Sequence, residues 1–196
     1  MLYVIARGLL RILYTLLFRL KAVGLENIPS EGPVVLCSNH ISNFDPPTVG
    51  IKLSRKVHFM AKAELFKIPV FGPLIRGVGA FPVKRGGVSK DAIRSSISLL
   101  EGGGVMGIFP EGSRKAPSGM GKKGAAMIAM RSKATVIPVA IIGSYKPFRR
   151  MVVRYGKPID LSAFIQDSSS DMLERVTDEI MANIGQMVRE GNSQKF

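Results

Sequence analysis

Apolar residues along this chain come in short runs bounded by turn-forming residues. Runs at about 33–38, 57–61, 79–83, 104–109, 135–142 and 149–155 predict strands. Between most of them apolar residues recur at helical spacing, which predicts helices at about 46–54, 63–76, 88–101, 119–133 and 171–188. The last is the most regular: Met172, Val176, Ile180, Ile184 and Val188 recur every fourth residue behind an Asp171-x-x-Glu174 capping signal. Such alternation predicts an α/β fold, a single domain whose mostly parallel or mixed central sheet is flanked by helices. Gly102-Gly103-Gly104 follows a helix and precedes a strand, the reverse of the order that aims amides at a phosphate, so it reads as a helix C-cap and turn.

The first twenty residues are denser in apolar side chains, but Arg7, Arg11 and Arg19 interrupt them. A membrane span needs about 20 mostly apolar residues, and no small-residue cleavage site follows as a secretory signal requires. On a helix Arg11 falls about 40° from Arg7 and Arg19 about 120° from it, leaving a wide apolar face. That pattern predicts an amphipathic N-terminal helix lying in the headgroup layer of a membrane. The alternative is a helix docked on the core with its arginines in water. The chain therefore divides into an interfacial membrane-associating helix at 1–24 and a folded body at 25–196.

Charge narrows the partners. Lys and Arg number 28 against 14 Asp and Glu, and the excess lies in the body: residues 1–159 carry 25 basic and 7 acidic side chains, residues 160–196 carry 3 and 7. A basic body favours a polyanionic partner, either a membrane, a phosphate ester or nucleic acid. The one cysteine, Cys37, allows no internal disulfide and sits in the apolar run Val34-Val35-Leu36-Cys37, where a buried hydrophobe is expected. A reducing, cytoplasmic environment fits.

Candidate chemistry collects where strands end. His40 follows the first apolar run, at the carboxyl end of a strand, where open α/β sheets bind ligands. The other histidine, His58, lies inside the alternating run Val57-His58-Phe59-Met60 and reads as structural. His40 and Asp45 would stand about 140° apart on a continuous helix, so facing one another requires a turn. Pro46 supplies it by placing Asp45 at or near a helix start. Asp45 can then hold one ring nitrogen of His40 while the other takes a proton from a substrate hydroxyl. The competing reading is that Asp45 only caps its helix and His40 is an ordinary loop histidine.

With no Gly-x-Ser-x-Gly elbow and the cysteine in an apolar run, a covalent acyl-enzyme has no evident nucleophile. Two separated histidines and one cysteine do not make a usual zinc shell, so no metal is expected. Phe81-Pro82-Val83-Lys84-Arg85-Gly86 and Phe109-Pro110-Glu111-Gly112-Ser113-Arg114-Lys115 also end strands. If those strands are parallel, His40, Arg85, Glu111 and Arg114 converge at one sheet edge, a base beside guanidinium groups suited to phosphate. Lys84, Lys115 and Lys122 read as solvated charges.

Taken together, Asn39-His40-x4-Asp45, Val83-Lys84-Arg85, Phe109-Pro110-Glu111-Gly112-Ser113-Arg114 and Val136-Ile137-Pro138-Val139 resemble the four ordered motifs of the glycerolipid acyltransferase family, especially 1-acylglycerol-3-phosphate acyltransferases. The resemblance covers roughly residues 25–160. It implies that 25–196 is an acyltransferase domain, with His40 as general base, Asp45 as its partner, and Arg85, Glu111, Gly112 and Arg114 binding the acceptor's phosphate and glycerol. It further implies that Lys123, in a Lys-Gly pair similar to the family's, helps stabilise the oxyanion, and that the 136–139 strand belongs to the site or an acyl tunnel.

The implied reaction moves a fatty acyl group from acyl-CoA or acyl-carrier protein, as donor substrate and no bound cofactor, to the sn-2 hydroxyl of 1-acylglycerol-3-phosphate, giving phosphatidic acid for phospholipid synthesis. The expected partners are a lysophospholipid, an anionic membrane surface and acyl-carrier protein, with no nucleic acid, and the expected place is the cytoplasmic face of the membrane, peripheral or monotopic. Ser113 replaces a more usual threonine, and the N-terminal region has room for one membrane helix where some members carry two. An acyltransferase for another lyso-lipid, a thioesterase that activates water with His40, and a noncatalytic anionic-membrane or nucleic-acid binder remain as alternatives.

Overall fold

The computed structural model describes residues 2–83, 90–111 and 119–193. Among these the elements run α1 (Leu2–Phe18), β1 (Lys21–Val23), β2 (Val34–Ser38), α2 (Asp45–Gly50), β3 (Val57–Lys62), α3 (Phe71–Gly77), β4 (Ala80–Val83), α4 (Lys90–Glu101), β5 (Val105–Ile108), α5 (Gly119–Ser132), β6 (Thr135–Ile142), β7 (Val152–Tyr155) and α6 (Met172–Ser193). The strands form one seven-stranded sheet in the order β1-β7-β6-β2-β5-β3-β4. From β6 to β4 every pairing is parallel; β7 runs antiparallel to β6, and β1 is parallel to β7. The mixed sheet flanked by helices is the fold the residue pattern predicts.

Central strands of such a sheet are covered on both faces and therefore read as unbroken apolar runs. All five residues of β2 are buried, and of β6 only Thr135 is not. On one face Val35, Cys37, Met106 and Val136 pack against α4, α5 and α6, where Val176, Ile180 and Ile184 form the inward stripe expected from their four-residue spacing. On the other face Val34, Leu36, Val105, Ile137 and Val139 pack against Val49 and Ile51 of the α2 region and Tyr14 and Phe18 of α1. Helix α4 ends at the three glycines as expected: Gly103 adopts φ 78°, and the amides of Gly102 and Gly104 return to the carbonyls of Ser98 and Leu99.

The N-terminal segment differs from its expected outline. Arg19, at φ 46°, stops the helix, and Lys21–Val23, within the stretch 1–24 assigned to that helix, joins the sheet beside β7. Helix α1 has two apolar faces. One buries Tyr14 and Phe18; the other leaves Leu2, Ile5, Leu9, Ile12, Leu13 and Leu16 exposed, and Val4 is exposed on the Phe18 side of the first turn. Arg7 faces the protein, donating to the carbonyls of Leu53 and Ser54 in the loop past α2.

The helix expected at 63–76 is broken. A 3-10 turn spans Ala63–Lys67 and α3 starts only at Phe71. Pro69 has no amide to give and disfavours helical geometry at Ile68, and Val70 then sits at φ 64°.

Gly107 is a packing requirement. It pairs with Phe59 across β5 and β3, and a methyl at 107 would overlap the Phe59 ring. Gly107→Ala is expected to cost about 1–3 kcal/mol of stability through overpacking, measured by denaturant unfolding. An unchanged midpoint would contradict that packing.

Candidate functional site

Register places the chemistry. Cys37 of β2 stands opposite Ile108 of β5, so the segments leaving these parallel neighbours, one bearing His40 and the other Phe109 and Glu111, emerge side by side at the carboxyl edge of the sheet. Asn39 prepares the exit. Its side-chain amide donates to the carbonyl of Ile141 at 3.0 Å and accepts that residue's amide at 2.8 Å, standing in for one more backbone step against β6 while the main chain turns away.

The turn is closed by Asp45. Its side chain is fully buried, and Oδ2 lies 2.7 Å from Nδ1 of His40. The same oxygen accepts the amides of Ile41 at 2.6 Å and Ser42 at 2.7 Å, and Oδ1 accepts the hydroxyl of Tyr145 at 2.7 Å. Asp45 therefore reaches back across its loop, not forward along its helix. A forward cap has no suitable donor: Pro46 and Pro47 lack amides, and the Thr48 amide is taken by the carbonyl of Phe44, the residue at the N-cap. The helix-cap reading of Asp45 is thus replaced by that of a histidine partner. Amides can only donate, so Oδ2 is an acceptor and the His40 proton belongs on Nδ1, leaving Nε2 with its lone pair.

His40 is partly exposed, at 19% for its side chain. Its ring stacks on Phe109 with centroids 4.2 Å apart and planes 20° from parallel, and Phe109 stacks in turn on Phe59 at 6.0 Å. The stack joins the His40 loop to the Phe109-Pro110-Glu111 segment. Glu111 is half-buried, three residues past β5. Strand β4 ends at the same edge, but Arg85, Gly112 and Arg114 lie outside the described residues.

Lys123 is not joined to the dyad by any contact. Its Nζ lies 3.5 Å from Glu174 on α6, in an exposed ion pair that contributes about 1 kcal/mol or less. His58 sits at the opposite end of its strand, bonded through Nδ1 to the carbonyl of Gly79, and burial, followed by the nearby Lys56, lowers its pKa. It is structural, as expected. Among the described residues, no three His, Cys, Asp or Glu side chains come together as a metal-binding group.

Two site residues carry no signal in the sequence, and the role of a third is not legible from its motif. Tyr145 and Thr48 complete the hydroxyl network, and Phe109, though inside a motif, supports His40 only because of the β2–β5 register.

A parallel-sheet edge that orients a partly exposed histidine with a buried carboxylate is a site able to move a proton. Comparisons with known proteins make this specific. The family model described as Acyltransferase matches residues 19–142. The chain is 29% identical to 1-acyl-sn-glycerol-3-phosphate acyltransferase of Bacillus subtilis over 94% of its own length and 96% of that protein. It is 32% identical to the protein of that name from Streptococcus pneumoniae, over 84% of this chain and 64% of that one. It matches the chloroplastic enzyme LPAT1 of Arabidopsis thaliana at 33% over 66% of this chain, spanning 37% of that longer protein. The crystal structure of PlsC, the 1-acyl-sn-glycerophosphate acyltransferase of Thermotoga maritima, superposes with a TM-score of 0.69 at 28% identity, covering 87% of this chain and 71% of that one. The chain belongs to the acyltransferase family and is an enzyme of acyl transfer.

Cys37 is fully buried against the helical layer, and burial pushes its thiol up to about 12. At pH 8 it stays protonated and unreactive. A thiol reagent is expected to leave the native protein unmodified and active and to label one thiol after denaturation. Labelling of the native protein with loss of activity would contradict this.

Proposed function

We propose that this enzyme transfers a fatty acyl group from acyl-CoA or acyl-carrier protein to the sn-2 hydroxyl of 1-acylglycerol-3-phosphate, producing phosphatidic acid for phospholipid synthesis at an anionic membrane surface. The observation that carries the reading is the 2.7 Å contact between His40 Nδ1 and buried Asp45 at the sheet edge, in a chain whose relatives are named for that acceptor.

The chemistry follows from which nitrogen is available. Nε2 of His40 takes the proton of the acceptor hydroxyl as its oxygen bonds to the thioester carbonyl carbon. Asp45 stabilises the imidazolium that results. The tetrahedral intermediate then collapses, the carbon–sulfur bond breaks, and the imidazolium proton passes to the departing thiolate. With Cys37 buried and protonated, transfer is direct and needs no acyl-enzyme. Arg85 and Arg114 take the acceptor phosphate, and Glu111 and Gly112 its glycerol, the roles that the resemblance to the family's motifs implies. Lys123 can serve the oxyanion only by leaving Glu174, at small cost.

His40→Ala is expected to lower kcat/KM for acyl transfer by at least about a hundredfold, the contribution of a general base. Asp45→Asn is expected to do the same through loss of the tautomer. Both are measured as lysophospholipid-dependent thiol release in folded protein. Wild-type rates in either variant would contradict the assignment, and thiol release without an acyl-lipid product would favour a thioesterase.

The exposed face of α1 supports the membrane reading. Among the described residues no helix is long and apolar enough to cross a membrane, but six large exposed apolar side chains on one face of α1, Leu2, Ile5, Leu9, Ile12, Leu13 and Leu16, suit the headgroup layer. The chain contains no tryptophan, so Leu16→Trp, at a position 69% exposed, gives a single reporter. Its emission is expected to shift blue with phosphatidylglycerol vesicles, and less so at high salt. No shift with any vesicle would contradict membrane docking through this face.

A further inference from the structure

Tyr145 is one hundred residues from Asp45 in the chain, yet its hydroxyl meets the carboxylate oxygen that His40 does not use. We propose that Tyr145, supported by Thr48, is a positioning residue that sets the basicity of His40 through Asp45. The proposal rests on the reading of His40 as general base.

Proton counting gives the direction of the network. A tyrosine hydroxyl has one proton, and here it goes to Oδ1 of Asp45. The 2.7 Å contact between Tyr145 and Thr48 must then be donated by Thr48. The other acceptor within reach of Thr48, the carbonyl of Phe44 at 2.9 Å, already receives the hydroxyl of Tyr14 and the amide of Thr48, each at 3.2 Å. The Thr48 proton is therefore shared between that carbonyl and Tyr145, the shorter contact being the one to Tyr145. A hydroxyl that accepts a bond donates a stronger one, so Thr48, Tyr145 and Asp45 form a directed chain meeting His40 from the far side of the carboxylate.

Two consequences follow for His40. Donors on both oxygens fix the plane of the carboxylate, and with it the direction of the imidazole. The Tyr145 donor also draws charge from the carboxylate, which weakens its pull on a protonated His40. The phenol is itself held in place, edge-on to Phe18 of α1 at 5.3 Å and tilted against Phe44 at 5.5 Å. Burial, reinforced by the charge of Asp45, raises its pKa, so it remains a donor throughout the working pH range.

Tyr145→Phe keeps the ring contacts and removes the proton. With the donor gone, Asp45 holds the imidazolium more tightly, so His40 gives up its proton only at higher pH. The acid limb of the kcat/KM profile is expected to move upward in pH, kcat to fall about tenfold, and KM for 1-acylglycerol-3-phosphate to stay within about twofold. Thr48→Val is expected to move the limb the same way by less, and Thr48→Ser to restore it; this pair carries the test if Tyr145→Phe does not fold. An acid limb unmoved in Tyr145→Phe, with or without a fall in rate, overturns the proposal. His40→Ala separates the two levels: an inactive His40→Ala beside an unmoved Tyr145→Phe profile removes only the role of Tyr145, whereas wild-type turnover in His40→Ala removes the base reading and this proposal with it.

Discussion

A carboxylate taken wholly out of water is costly unless donors surround it, and the fully buried Asp45 has gathered four. Two are amides of the loop that follows β2, one is the ring of His40, and one is a hydroxyl delivered from beyond β6. Satisfying Asp45 therefore folds the loop, chooses the histidine proton and ties β2 to the segment after β6. Losing any donor strands part of a buried charge. The geometry of the His40–Asp45 pair and the local fold are in this sense the same set of hydrogen bonds.

Around that carboxylate the aromatic side chains divide into two groups. Phe59 and Phe109 form a stack beneath His40 from the side of β3 and β5. Tyr14, Phe18, Phe44 and Tyr145 form an edge-packed cluster behind Asp45 from the side of α1. Helix α1 thus serves two surfaces at once. Its inner face completes the packing behind the dyad, and its outer face carries the exposed apolar side chains proposed to meet lipid. An acceptor delivered along the membrane would arrive next to the helix end that packs against the dyad.

Much of this was legible in the residue pattern, for identifiable reasons. Strands β2 and β6 are buried on both faces and so appear as unbroken apolar runs, while α6 packs by one stripe and shows it at four-residue spacing. The Asn39-His40-x4-Asp45 spacing pointed to the dyad, and the two prolines after Asp45 hold the clue that it cannot cap forward. Other features depend on contacts with no local signature. Lys21–Val23 is a strand only because β7 is there to pair with it. The break at Ile68–Val70 reflects one proline within an otherwise helical pattern. Tyr145 and Phe109 gain their roles from sheet register, which sets residues far apart in the chain beside one another, and the partner of Lys123 is chosen by the packing of α5 on α6.

For His40 to act as a base through Nε2, Asp45 must hold its proton on Nδ1. The chain has two histidines, so nitrogen-15 labelling of histidine yields two ring spectra, and His58→Gln assigns them. In the neutral ring of His40 a protonated Nδ1 and an unprotonated Nε2 are predicted. A proton on Nε2 with Nδ1 bare would mean that Asp45 does not hold His40 in this way.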